Sequence, residues 1–338
     1  MQRLLWLDVM RGILLFLITI GHFEPEGTMI YPILSPTAMY YVPLFFFISG
    51  YMTNPRKYGF VEFLKKRIKS LLIPYVFFVI LFTICDWNIL KDPLGLISHN
   101  MHQLIVGHSV IKATPIWFIS CLFVVSIFHY LSIRLLKFKT IYILFFIICL
   151  SVISLHYSNS GIVLPWHLDK LAMILVFSMS GYLANLLIKN NRVNKSIYTF
   201  LGFLGFLGMF VDLGDLHYNQ INMYPLFYIM PISFAISIVY FLSFYPVLTE
   251  HRIGHAFAWI SRNGLVILAF HSYIGFIYSI LANKLSIKPL FWGADFYMFF
   301  KVIFVYSALF IFVVPFMNRF CYMLIGKSRI EWKENYKK

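Results

Sequence analysis

The chain has 338 residues, 60% of them hydrophobic and only 12% charged. Soluble domains run near ~45–50% apolar and ~25% charged, so this composition excludes an ordinary globular protein. The net charge of +15, from 28 Lys and Arg against 13 Asp and Glu, would point to nucleic acid in a soluble chain; in a membrane chain it first asks where the charges lie.

A helix that crosses a bilayer needs ~20 mainly apolar residues. In chain order the candidate spans fall near 4–23, 38–53, 70–90, 115–133, 140–157, 167–188, 196–212, 223–247, 263–283 and 297–322. The predicted fold class is all-α: a polytopic membrane protein of about ten transmembrane helices. One membrane domain covers 1–325 and a basic cytoplasmic tail covers 326–338. No stretch between spans exceeds about 25 residues, so no separate soluble domain is expected. Asp8 and Arg11 interrupt the first apolar run, and Gly21-His22-Phe23-Glu24 is a poor cleavage site. The run therefore reads as a span and not as a signal peptide. Cys85, Cys121, Cys149 and Cys321 lie in apolar runs without metal or redox spacing and read as small hydrophobes.

The connections set orientation. With the N-terminus inside, the inner segments hold Arg3, six basic residues between Arg56 and Lys69, Arg134, Lys137, Lys139, Lys189, Arg192, Lys195, Arg252, Arg262 and five between Lys327 and Lys338. That makes 20, against 4 in the outer loops: Lys91, Lys112, Lys284 and Lys288. The asymmetry places both termini in the cytoplasm. It also turns most of the net charge into a topology signal that faces membrane lipids and needs no nucleic-acid partner.

Ionisable residues inside spans are costly and mark function by default. The first span carries Asp8, Arg11, Thr19 and His22. At about 100° per residue, Arg11 and His22 come within ~20° of one another around the helix, and at ~1.5 Å rise they stand about 16 Å apart along it. Asp8 and Thr19 share the stripe. Arg11 lies toward the cytoplasm and His22 deep, toward the outer face. A cation at the mouth and an imidazole inside suit a long anionic substrate entering head first. An Asp8–Arg11 pair fixing the helix end near headgroups, with an interfacial His22, suits the same residues.

Ser49-Gly50 in the second span, and its echo Ser180-Gly181 in the sixth, read as small-residue packing sites. The basic cluster from Arg56 to Lys69 serves topology, or serves as a phosphate clamp in which Arg67 offers bidentate bonds. His99, His102 and His108 lie in an outer loop over 86–115 with weak spacing for a metal, and no metal site is expected. His271 lies inside the ninth span and asks for a role.

Several of these pieces together resemble the acyltransferase 3 family of membrane acyltransferases, including its fucose 4-O-acetylase-like and O-antigen-acetylating members. Leu7-Asp8-Val9-Met10-Arg11-Gly12 looks like that family's L-D-x-x-R-G opening, and Arg11 and His22 reproduce its R-x10-H spacing. Phe45-Phe46-Phe47-Ile48-Ser49-Gly50-Tyr51 resembles F-F-x-x-S-G-[FY], and Arg67 through Tyr75 resembles R-x-x-x-L-x-x-P-Y. Pro115-Ile116-Trp117-Phe118 looks like P-x-W-F. Ser261 through His271 is similar to a late G-x-x-S-x-x-I-Y-x-x-H segment, departing from it at Asn263-Gly264 and Ala269.

The resemblance implies transfer of an acyl group, usually acetyl from acetyl-CoA as co-substrate, to a carbohydrate hydroxyl, in a bacterial cytoplasmic (inner) membrane. O-antigen (a lipopolysaccharide part), capsule, exopolysaccharide, peptidoglycan and smaller glycosylated molecules are the acceptors it suggests. The family's histidine maps to His22 and its arginine to Arg11. Joined to the residue pattern, this gives acetyl-CoA phosphates held by Arg11, Arg67 and Lys66 or Lys69, and His22 as general base. Glu24 orients His22, and Asp8 orients Arg11. Ser49, Gly50, Trp117 and His271 serve structure or the substrate channel. A sugar hydroxyl is a weak nucleophile at neutral pH, so a base is worth ~10²–10⁴-fold. Ser49 stands near the inner end of its helix and His22 near the outer end, which favours direct transfer over an acyl-enzyme. From the residues alone, a transporter or flippase for an anionic or glycosylated substrate fits ten spans and an intramembrane Arg, Asp and His equally well.

Overall fold

The computed structural model describes residues 4–23, 28–29, 31–86, 90–108, 114–189, 194–216, 219–245, 249–285 and 289–327. Among the described residues there is helix and no strand. In order the helices are α1 Leu5–Gly21, α2 Tyr31–Met52, α3 Phe60–Arg67, α4 Ile73–Ile84, α5 Pro93–Val106, α6 Trp117–Leu135 and α7 Thr140–Tyr157. They continue with α8 Leu171–Lys189, α9 Lys195–Leu207, α10 Leu226–Phe244, α11 Arg252–Arg262, α12 Gly264–Lys284, α13 Pro289–Ala308 and α14 Val314–Phe320. A π turn, Ile68–Leu72, joins α3 to α4 into one helix over Phe60–Ile84. A second, Leu309–Val313, joins α13 to α14.

Among the described residues, seven helices are long and apolar enough to cross a membrane: Phe60–Ile84, Trp117–Leu135, Thr140–Tyr157, Pro165–Ile188, Leu226–Phe244, Gly264–Lys284 and Gly293–Phe320. The chain is a polytopic α-helical membrane protein. The three remaining predicted spans are helices too: α1 with 17 residues, α2 with 22, and α9 with 13 extended by a 3-10 turn. Lipid-facing sides are apolar and inner sides more polar. On α7, Ile141, Phe145, Ile148 and Val152 form one exposed stripe, while Ser151 and Ser154 are buried.

The chain divides into two compact units. The first comprises Met1–Ile18, Pro32–Gly59 and Val124–Arg262. Glycines bring its helices together. A Cβ at Gly50 on α2 would collide with the Ser178 carbonyl of α8, and one at Gly181 on α8 would collide with the Phe47 carbonyl of α2. The two Ser-Gly pairs are therefore the two sides of one helix crossing. Asn185 Nδ2 donates to the Tyr51 carbonyl at 2.9 Å beside it. Gly202 and Gly205 on α9, and Gly208 in the 3-10 turn that extends it, recur at intervals of three and lie against Ser237, Phe234 and Met230 of antiparallel α10. Tyr40 donates to the Gly205 carbonyl at 2.7 Å. Arg134 donates to the carbonyls of Pro55 (3.0 Å) and Tyr58 (2.8 Å), so this cation is a clasp on the chain after α2.

The second unit comprises Thr19–Tyr31, Phe60–Phe123 and Asn263–Lys338. Two stretches expected as connections are helical here. The basic cluster rides on α3 and the π turn, and the expected 86–115 loop contains α5. α5 starts at Pro93 after an Asp92 cap, runs back antiparallel to α4 and ends at Gly107 with φ +78°. Asn100 donates to Thr83 at 3.1 Å, and Tyr75 donates to the His108 carbonyl at 2.8 Å, so the register holds over eight residues of each helix. Ser120 donates to the Gly107 carbonyl at 2.5 Å and closes the same end. Lys327 donates to Asn263 (2.9 Å) and Asn318 (2.7 Å), with Gly326 against the backbone of Lys69 and Ser70. Of the cysteines, Cys121 is buried, while Cys85 is exposed where α4 ends.

Candidate active site

The end of α1 carries the first candidate. Thr19, fully buried, pairs its hydroxyl with that of Tyr306 at 2.6 Å. Ile20 is buried and Gly21 ends the helix, so His22 sits on the turn that follows with its ring exposed. Phe23, next in the chain, is buried.

His22 does not stand alone. Its ring lies 5.3 Å, centroid to centroid, from that of His271, tilted by 31°. His271 is fully buried on α12, and the Phe23 ring is 6.2 Å from it. The buried ring is held on both sides. Nδ1 is 3.0 Å from the Ile267 carbonyl, which can only accept, so Nδ1 carries a proton. In the neutral ring that leaves Nε2 to accept from the Ser272 hydroxyl at 3.2 Å.

The depth of the pair follows from α12. His271 is seven residues after Gly264 and thirteen before Lys284, about 10 Å from the first end of the helix and about 20 Å from the other. His22 therefore lies level with the half of α12 nearer Gly264.

One turn beyond His271, Gly275 leaves room for two side chains. A Cβ there would come within 3.3 Å of Phe23 Cε1 and 3.5 Å of Lys301 Cε. Lys301 is 7% exposed on α13. Its Nζ lies 3.5 Å from the Phe23 carbonyl, 5.5 Å from the centre of the Phe23 ring and 5.9 Å from that of Tyr297.

The other predicted residues take these places. Arg11, on α1 in the first unit, is partly exposed with its guanidinium 5.8 Å from the Phe45 ring and Nη1 3.9 Å from Met52 sulfur. Asp8 is buried. Gly12 explains the glycine after the arginine: a Cβ there would collide with the Phe257 carbonyl of α11, whose ring packs edge-on against Phe16. Ser49 is half-buried; its carbonyl accepts from Thr53.

In the second unit, Arg67 ends α3 with its guanidinium over the Phe63 ring at 5.0 Å. Lys66 pairs with Glu62 at 2.9 Å, and Lys69 is exposed in the π turn. Trp117 opens α6, half-buried, edge-on to Phe118. Glu24 lies outside the described residues.

The structure thus brings together His22 and His271, which the sequence separates by 249 positions, and adds Phe23, Gly275 and Lys301 to them. Lys301 had one signal in the sequence, an ionisable residue within an apolar run. Tyr306 and Gly275 had none.

Compared with known families, residues 4–319 match the family described as the acyltransferase domain. The chain belongs to the acyltransferase 3 family. It is a membrane acyltransferase. Neither the curated proteins nor the solved structures match it. Within an acyltransferase, one imidazole open to substrate and backed by a second, backbone-anchored imidazole is an arrangement able to take the proton of an incoming nucleophile.

Proposed function

We propose that this acyltransferase moves an acetyl group from acetyl-CoA, bound from the cytoplasmic side of a bacterial inner membrane, to a hydroxyl of an extracytoplasmic carbohydrate that is lipid-linked or polymeric. The observation that carries the reading is the exposed His22 ring set 5.3 Å from the buried His271 in a chain of this family. His22 removes the hydroxyl proton as oxygen attacks the thioester carbonyl, and coenzyme A leaves as the thiol. His271, anchored through Nδ1, holds the face against which His22 rests. Arg67 is assigned to the anionic end of the cofactor, and Arg11 stands where the resemblance puts the family's arginine. Each has a guanidinium laid over an aromatic ring, which restrains the planar fork. Lys69 assists, while Lys66 is already engaged by Glu62. Direct transfer needs no acyl-enzyme, and Ser49 keeps a packing role.

The test is incubation of purified protein in lipid with radiolabelled acetyl-CoA and isolated cell-envelope carbohydrate. Label appearing in carbohydrate with matching release of free thiol supports the reading. Thiol release independent of any carbohydrate, or movement of carbohydrate across the bilayer without covalent change, sinks it.

A further inference from the structure

A lysine buried in an apolar helix needs a reason, because desolvating an ammonium is costly and such residues persist where they do something. Lys301 is 7% exposed, on the α13 stretch that faces the His22–Phe23 turn. Its ammonium approaches the Phe23 carbonyl at 3.5 Å and lies over the Phe23 ring at 5.5 Å. Two features of one residue, its carbonyl and its ring, are engaged by a single cation. That residue is the immediate neighbour of His22. From the other side Gly275, on the helix of His271, leaves the space that the Phe23 ring and the Lys301 stem occupy.

His22 is past the last helical residue, so its orientation is not set by α1's own hydrogen bonds. Phe23 N–H still bonds to the Ile20 carbonyl at 2.9 Å, which closes the turn from one end. The Phe23 carbonyl, at the other end, is where the ammonium sits. Attraction between a cation and an aromatic face strengthens when both are out of water, as they are here. The ring of Tyr297, one turn before Lys301 on α13, lies 5.9 Å from the same ammonium.

We propose that Lys301 is a positioning residue: its ammonium pins the Phe23 carbonyl and ring and thereby holds the His22 imidazole against His271 in the orientation that accepts a proton. This rests on His22 being the base. It assigns Lys301 no contact with substrate.

The experiment compares wild type with Lys301→Met and Lys301→Arg in lipid, with two readouts. One is acetyl transfer, separated into kcat and KM for acetyl-CoA. The other is the rate at which diethyl pyrocarbonate modifies His22, followed by peptide mass spectrometry, which needs no activity. For Lys301→Met, kcat falls about 10- to 100-fold, the scale of a misplaced catalytic group, with KM unchanged, and the modification rate of His22 departs from wild type. Lys301→Arg, which keeps the charge, recovers part of both. A His22 modification rate in Lys301→Met equal to wild type overturns the proposal, as does a change in KM alone. Should Lys301→Met not be recovered folded, Gly275→Ala presses on the same Phe23 ring, and an unaltered rate there overturns it equally. His22→Ala separates the two readings: if that variant turns over normally, the base assignment fails, and the modification rate alone then decides the positioning of the turn.

Discussion

His271 faces His22 with a ring whose Nδ1 is tied to the Ile267 carbonyl at 3.0 Å and whose centroid is 5.3 Å away. The exposed partner is on the surface of its unit; the buried one is fixed by its own helix. This difference gives the two residues separable phenotypes.

His22→Ala should lower kcat by about 10²- to 10⁴-fold, the usual worth of a general base, with KM for acetyl-CoA nearly unchanged. His271→Gln, which keeps a polar side chain on α12 but loses the ring, should cost less. Steady-state assays in lipid with labelled acetyl-CoA check both. Equal losses for the two variants would mean that the rings act as a unit and not as base and support.

Among the cytoplasmic cations the expected effects are unequal. Arg67→Ala should raise KM for acetyl-CoA about tenfold, the value of roughly one charge-assisted bond. Lys66→Ala removes an exposed i,i+4 pair with Glu62, and such pairs contribute only ~0–1 kcal/mol. Both its KM and its melting temperature should stay close to wild type. Titration of each variant with coenzyme A by calorimetry distinguishes them.

At the α2–α8 crossing, Gly50→Val and Gly181→Val each insert atoms where a carbonyl of the other helix lies. Overpacking of this kind costs ~1–3 kcal/mol or more, and because both variants spread one crossing, the double variant should cost less than their sum. Thermal unfolding in detergent reads this. Ser49→Ala, by contrast, should retain turnover within about twofold, as expected of a hydroxyl without a covalent role.

Tyr75→Phe should loosen the inner end of α5. The hydroxyl serves the part-buried carbonyls of His108 (2.8 Å) and Gln103 (3.2 Å), and losing a hydrogen bond of this kind costs ~0.5–1.5 kcal/mol. Hydrogen exchange of amides 104–108 should quicken while α4 keeps its protection. Unchanged exchange there would assign the anchoring to Ser120 alone.

Much of this was legible in the sequence because a bilayer imposes one strong rule, ~20 apolar residues per crossing. Seven of the ten spans stand in the structure at crossing length, and the paired Ser-Gly steps were readable as packing sites. α5 escaped notice because its fourteen residues, with His99, Asn100, His102 and Gln103 among them, are too short and too polar for that rule. The start at Phe60 was hidden by Lys65, Lys66, Arg67 and Lys69, a cluster that reads as a loop but is helix. The partnership of His22 with His271 is long-range, and no local pattern encodes it. Lys301 was visible as a charge in an apolar run, but its purpose depends on Phe23, a residue of no sequence distinction.

The unequal depth of His271 within α12 sets a demand on the acceptor. A reaction beside His22 happens about 10 Å from one end of that helix and about 20 Å from the other. On the proposed function, with the acetyl donor entering beside the Gly264 end, the donor covers the shorter leg and the nucleophile the longer one. A terminal sugar or a single side-branch would make that descent more readily than a hydroxyl in the middle of a stiff polymer, so on the proposed function chain ends are favoured over chain interiors.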